Sequence, residues 1–183
     1  MPSIWPLGQN IVGYHAITMG VLMEELVRRV AGKELKDVFE ERIRKPLGVD
    51  AYIGQDDSLE PRYRDVLPGA SAEQAFFDPF SPAGLAVNSA SGFALASGPV
   101  YNWHELANAR QVRRLGPASM GGVADAQSLA AIYAASFGPV PSLGASRGFL
   151  TEATWSRESA ELVYGHDRTS GLLQAFALGF MKA

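Results

Sequence analysis

Cysteine is missing from the chain altogether, which excludes disulfides and thiolate metal sites alike. Long apolar runs are missing too. None approaches the roughly 20 residues that a membrane helix needs. Positive charge is in short supply: 16 Lys and Arg stand against 19 Asp and Glu, a net charge of −3. That balance argues against a general nucleic-acid binder. The N-terminus lacks the basic start of a signal peptide and carries Pro2 and Pro6 instead, so the sequence predicts a soluble chain, cytoplasmic rather than secreted. A phosphate loop is absent as well. Gly121-Gly122 has no Gly-x-x-x-x-Gly-Lys frame and reads as a tight turn. Asp56-Asp57 has no further ligand at useful spacing and reads as a solvated turn rather than a metal site. No metal or cofactor is expected.

What remains is ordinary globular material: 183 residues, 47% hydrophobic and 19% charged, enough for one domain. Its organising stretch is residues 13 to 48. Leu22, Leu26, Val27 and Val30 form one apolar stripe at helical spacing. Thr18 stands where a cap belongs, and Gly32 where a left-handed stop belongs. Glu24 and Glu25 each precede an arginine by four residues, Arg28 and Arg29, so both pairs are expected to meet. Leu35, Val38, Phe39 and Ile43 repeat the pattern, and Pro46 is expected to end it. The result is a helix pair over 17–45 with Tyr14 just before its first turn. By composition alone, a tyrosine there packs and hydrogen-bonds rather than doing chemistry.

Further on, residues 51–54 suggest a strand and 55–68 a polar stretch. Residues 51–101 as a whole read as loops with short helical turns. Residues 102–137 return to helix, with Asn102 capping 103–110, a break at 116–123, and Asp125 capping 126–136 with Leu129, Ile132 and Tyr133 on one face. Over 149–181, Thr151 caps a last helix, His166-Asp167-Arg168 makes a polar turn, and Leu172 to Met181 reads as a buried strand. Gly144-Ala145-Ser146-Arg147-Gly148 fits the Gly-x-Ser-x-Gly nucleophile elbow of an α/β-hydrolase. That elbow needs an apolar strand before it, yet Gly138-Pro139-Val140-Pro141-Ser142 is a loop, and only His166 follows. Ser146 is therefore the rival reading and a chance match.

Gly13-Tyr14-His15-Ala16, then residues 25–32, then Pro46-Leu47-Gly48-Val49-Asp50 resemble the serine β-lactamase-like hydrolases. These are the class C β-lactamases, D-alanyl-D-alanine carboxypeptidases and related esterases. Asn108-Ala109-Arg110, the Gly-Gly turn and residues 128–135 extend the resemblance in the same order. It implies an α+β fold, a central antiparallel sheet flanked by helices with an all-helical subdomain. Residues 1–183 would be a single partial β-lactamase/transpeptidase-like domain, supplying most of the helical part and one or two strands.

In that family the tyrosine of a Tyr-x-Asn motif acts as, or helps, the general base of an acyl-enzyme reaction. The resemblance gives that role to Tyr14. Ala16 replaces the Asn that contacts a lactam or peptide amide, which points toward an esterase. Phe76, Phe77 and Phe80 could line an acyl pocket or simply pack. The family nucleophile is the serine of Ser-x-x-Lys, and no serine here has lysine three positions on. A His-x-Gly motif is missing too. The expectation is the middle of a hydrolase cut at both ends, inert alone, whose complete form takes a small ester or amide. A free phenol ionises near pH 10 and needs neighbouring cations to act as a base. A sheet short of partners predicts self-association or a complementary chain. A non-catalytic binding or scaffold remnant of the fold is the other alternative.

Overall fold

The computed structural model describes residues 12–15, 17–67, 107–179 and 181–182. Helix α1 runs Thr18–Ala31 and stops on Gly32, which turns left-handed at φ 67° and returns its N–H to the Arg28 carbonyl at 3.0 Å. Thr18 does not cap it. The capping position belongs to Ile17, whose side chain cannot accept a hydrogen bond, and Ser119 fills the role from 99 positions away. Only one of the two expected ion pairs forms in its predicted form. Glu25 holds Arg29 at 2.6 Å and also takes Arg28 at 2.8 Å, while Glu24 turns to the backbone N–H of Ala118 at 2.7 Å.

The apolar stripe of α1 is not covered by the described residues: Leu22 is 59% exposed and Val30 80%. The core lies past the second helical run. Leu47, Val49, Ala51 and Ala135 form it, with Phe39, Ile43, Ile132 and Val140 packed around. The second run starts as α2 (Leu35–Phe39), widens into a π-turn over Glu40–Arg44, and closes as α3 (Lys45–Leu47). Pro46 therefore sits inside the run rather than ending it. The wide turn lies where the proline ring would crowd the carbonyl four residues back. Gly48, at φ 61°, makes the stop.

Strand β1 (Ala51–Ile53) pairs antiparallel with β2 (Gly122–Ala124), Tyr52 opposite Val123. The sequence predicts a break over residues 116–123, whereas β2 begins within it at Gly122. Its signal is weak because the strand is three residues long and opens on glycine. The intervening polar stretch is tied down. Asp56 accepts from the Ser58 N–H at 2.9 Å and starts a 3-10 turn over Asp57–Arg62. Arg113, on helix α4 (Arg110–Leu115), holds Glu60 through two nitrogens, at 2.6 and 3.1 Å, and lies 3.7 Å over the Tyr63 ring. Asn102 and residues 103–106 lie outside the described residues.

Helix α5 (Ala126–Phe137) begins as expected, with Asp125 accepting the Ser128 N–H at 2.6 Å. Its inner face is not the expected one. Ser128 and Ala135 are buried and Ile132 joins the core, but Leu129 and Tyr133 are exposed. Small residues let this helix approach Leu47 and Val49 closely, which turns the bulkier side chains outward. Thr151 caps helix α6 (Glu152–Glu158) by accepting from the Thr154 N–H at 3.1 Å.

The chain then forms an antiparallel sheet in the order β3 (Val163–His166), β4 (Leu173–Phe176), β5 (Met181–Lys182). The apolar run 172–181 is thus two strands rather than one, interrupted at Gly179 with φ 83°. Nor is it buried throughout: Leu172, Leu173, Leu178 and Met181 are all more than half exposed. Among the described residues every strand pairing is antiparallel. Ser146 sits on no elbow. It follows Ala145, which bridges back to Val140, and α6 begins only at Glu152. The architecture is mixed helix and strand with small antiparallel sheets, the α+β class that the resemblance implies.

Candidate active site around Tyr14

Residues 12–15 form an extended segment laid against the β3–β4 turn. The Val12 carbonyl accepts from the Arg168 N–H at 2.8 Å, and Val12 is buried facing Gly165. The Tyr14 N–H donates to Asp167 Oδ1 at 2.8 Å. The tyrosine ring lies nearly parallel to Phe176 of β4, with centroids 6.4 Å apart and planes at 17°. Its other side is open, for Tyr14 is 45% exposed. His15 turns back on the same segment, its Nδ1–H donating to the Gly13 carbonyl at 2.7 Å.

The far end of the segment runs into α1 and is held by the turn at 117–121. Ser119 Oγ donates to the Ile17 carbonyl at 2.7 Å and accepts from the Gly20 N–H at 2.8 Å. The fit needs glycine at position 20: a Cβ there would fall 2.3 Å from Ser119 Oγ and 2.5 Å from its backbone nitrogen. The chain is therefore tied at Tyr14 and again at Ile17 and Gly20, while Tyr14 stays 45% exposed.

Asp167 is the buried charge of the site, 1% exposed. Burial pushes its carboxyl up, but hydrogen bonds from the Ser170 hydroxyl and from the N–H groups of Thr169, Tyr14 and Ser170 outweigh that and hold it below the usual range. The sequence reading found the polar turn but not its link to Tyr14. Asp167-x-Thr169-Ser170-Gly171 carries the signal of a side chain bonding its own turn. Nothing local marks a partner 153 positions away.

Of the other expected site residues, Ala16, Phe76, Phe77 and Phe80 lie outside the described residues. Lys33, Lys36 and Lys45 are engaged by Glu41, Glu34 and Glu40 on the helix pair. A groove of about 340 Å³ lies between β1–β2 and the 57–66 stretch, lined by Asp50, Tyr52, Gln55, Arg62, Tyr63 and Arg113 among others. Tyr14 does not line it, so volume alone would point away from the tyrosine. No described helix is long and apolar enough to cross a membrane.

A tyrosine loop entering a helix, ahead of the second helical run and an Asp-capped helix, is the arrangement that the resemblance implies, and family comparison decides it. A model of the Beta-lactamase family matches residues 2–183. The chain belongs to the Beta-lactamase family. Among solved structures it resembles EstA from Arthrobacter nitroguajacolicus Rue61a, with 39% identity and a TM-score of 0.86 over all of this chain and 46% of that one. It also resembles a penicillin-binding protein homolog from Caulobacter crescentus, with 30% identity and a TM-score of 0.72 over all of this chain and 45% of that one. A family VIII carboxylesterase shares the fold at 24% identity and a TM-score of 0.70, over 93% of this chain and 42% of that one. No curated protein matches. The chain thus spans less than half the length of these Beta-lactamase-family structures.

Proposed function

We propose that this chain contributes the tyrosine side of an esterase-type serine hydrolase site, with Tyr14 as the proton acceptor. The reading rests above all on one observation: the Tyr14 backbone is held at both ends by buried or capped turns, yet its ring is left uncovered. The serine hydroxyl that Tyr14 serves belongs to a Ser-x-x-Lys segment, which this sequence does not contain. In the assembled site that serine attacks an ester carbonyl, and its proton passes to the Tyr14 oxygen. Tyr14 passes that proton on to the departing alcohol, and water then clears the acyl-enzyme. Ala16 in place of an amide-binding Asn favours an ester over a lactam or peptide. Phe76, Phe77 and Phe80 are assigned to the acyl pocket.

The bare stripe of α1, with Leu22, Leu26 and Val30, is the face for the complementary segment, and the exposed Leu172, Leu173 and Leu178 in and beside β4 favour the same association. Alone, the chain is inert. The test uses a chromogenic short-chain ester with this chain by itself, and again with the part of EstA that this chain leaves unmatched supplied in trans. Turnover is expected only in the second case, and Tyr14→Phe should lower it about 100-fold or more, the usual weight of a positioned acid–base group. Turnover by the chain alone, or an assembled enzyme indifferent to Tyr14→Phe, overturns the reading. The absence of Ser-x-x-Lys favours a second reading, a non-catalytic remnant of the fold. It predicts association without turnover in both cases.

A further inference from the structure

An ionised carboxylate offers about four acceptor positions, and Asp167 fills all of them. Its Oδ1 takes the N–H groups of Thr169 at 3.0 Å and Tyr14 at 2.8 Å. Its Oδ2 takes the Ser170 N–H at 3.1 Å and the Ser170 hydroxyl at 2.5 Å. Three of these donors belong to the turn itself. The fourth comes from a segment at the other end of the chain. A turn of this kind needs only its own donors, so the bond to Tyr14 is extra to what the hairpin requires.

That extra bond matters because, among the described residues, little else fixes Tyr14. The Tyr14 ring is half-exposed and meets Phe176 only at stacking distance. The other tie on this side, Arg168 N–H to the Val12 carbonyl, lies two residues before the tyrosine. We propose that Asp167 is a positioning residue for Tyr14, a buried carboxylate on the β3–β4 turn that sets the tyrosine's backbone and so the place of its phenol oxygen. The proposal rests on the reading of Tyr14 given above. Only a carboxylate can do the job in full. Asparagine has the same shape, but its NH₂ can be accepted only by the Ser170 hydroxyl, so its oxygen stays with Tyr14 and Thr169 and the Ser170 N–H is stranded; alanine, with no acceptor, removes the tie to Tyr14 itself.

The tie can be tested in this chain by amide exchange at single-residue resolution. In Asp167→Ala the Tyr14 amide should exchange at least tenfold faster. The Arg168 amide and the hairpin amides of β3 and β4 should keep their protection. Ser170→Ala removes a turn bond without touching the tyrosine and should leave the Tyr14 amide slow. A Tyr14 amide unchanged in Asp167→Ala overturns the proposal. So does one released equally by Ser170→Ala, or released only together with the whole hairpin.

The assembled hydrolase supplies the second readout. Asp167→Ala should lower kcat tenfold or more with KM within twofold, since displacements of about 1 Å in a reacting group can cost 100-fold. Normal kcat in Asp167→Ala beside an inactive Tyr14→Phe sinks the positioning role and leaves the tyrosine reading standing. Full turnover in Tyr14→Phe sinks the tyrosine reading, and the catalytic meaning of the tie with it, whatever the exchange rates show.

Discussion

The turn at 117–121 and the turn at 167–171 grip opposite ends of one short segment by different physics. At the first, a neutral hydroxyl packs against a glycine and exchanges two hydrogen bonds with the start of α1. At the second, a fully buried carboxylate gathers four donors, one of them from the tyrosine. The first grip is steric and neutral, so it should be sensitive to added volume and blind to pH. The second is ionic, so it should tolerate little change of charge and should weaken in acid. A site that must hold a phenol still while leaving it exposed gains from having both, because neither grip covers the ring.

Removing the carboxylate breaks the second grip most completely. Asp167→Ala leaves the N–H groups of Tyr14, Thr169 and Ser170 without their acceptor. Stranded donors cost about 1–3 kcal/mol each where water cannot replace the partner. The expected loss is about 3 kcal/mol, read as a shift of the urea midpoint. The first grip breaks by crowding. Gly20→Ala puts a methyl group 2.5 Å from the Ser119 backbone nitrogen, so α1 or the turn must move, at about 1–3 kcal/mol for an overpacked contact. Adding Ser119→Gly to Gly20→Ala clears the hydroxyl but not the backbone, so the double variant should recover only part of the loss. Full recovery would show that the grip is made by the side chain alone.

Much of the scaffold was legible because its signals are local. Gly32, Asp125, Thr151 and β1 each act on residues within a few positions, and each behaves as the sequence predicts. The family was legible too, through the tyrosine string and the later matches in the same order. What holds the tyrosine was not. Ser119 reaches α1 across 99 positions and Asp167 reaches Tyr14 across 153, and no periodicity encodes either. Thr18 was the natural local choice for a cap and lost to a distant serine. Pro46 was the natural stop and was absorbed by a π-turn. The apolar stripe of α1 and the exposed leucines in and beside β4 show a different limit. Hydropathy tells which residues gain from burial, but not whether this stretch of chain supplies the surface that covers them.

A milder change separates the grips further. Ser119→Ala removes the cap of α1 and should cost about 1 kcal/mol, the usual loss for a capping hydroxyl. The amide of Gly20 should exchange faster and that of Tyr14 should not. Asp167→Ala should give the reverse pattern, and a variant that released both amides together would show one clamp rather than two.

The smallest effect is also the most discriminating. The folded-state value of Asp167 lies below its ordinary one, with burial opposing the shift and the four donors outweighing it. Its contribution is therefore complete above the unfolded value of about 4 and fades as pH falls through the lower folded value. Global unfolding cannot isolate this, because Glu25, held down to about 2 by Arg28 and Arg29, loses its own contribution as acid is added in the same direction. Local exchange can. Corrected for the intrinsic rate, the Tyr14 amide should hold its protection down to about pH 4 and lose it as pH falls further. The Gly20 amide, bonded to a hydroxyl that does not titrate in this range, should keep its protection. In Asp167→Asn the acid step at Tyr14 should vanish. If it persists there, a different carboxylate governs the tyrosine, and the two turns differ less in kind than their hydrogen bonds suggest.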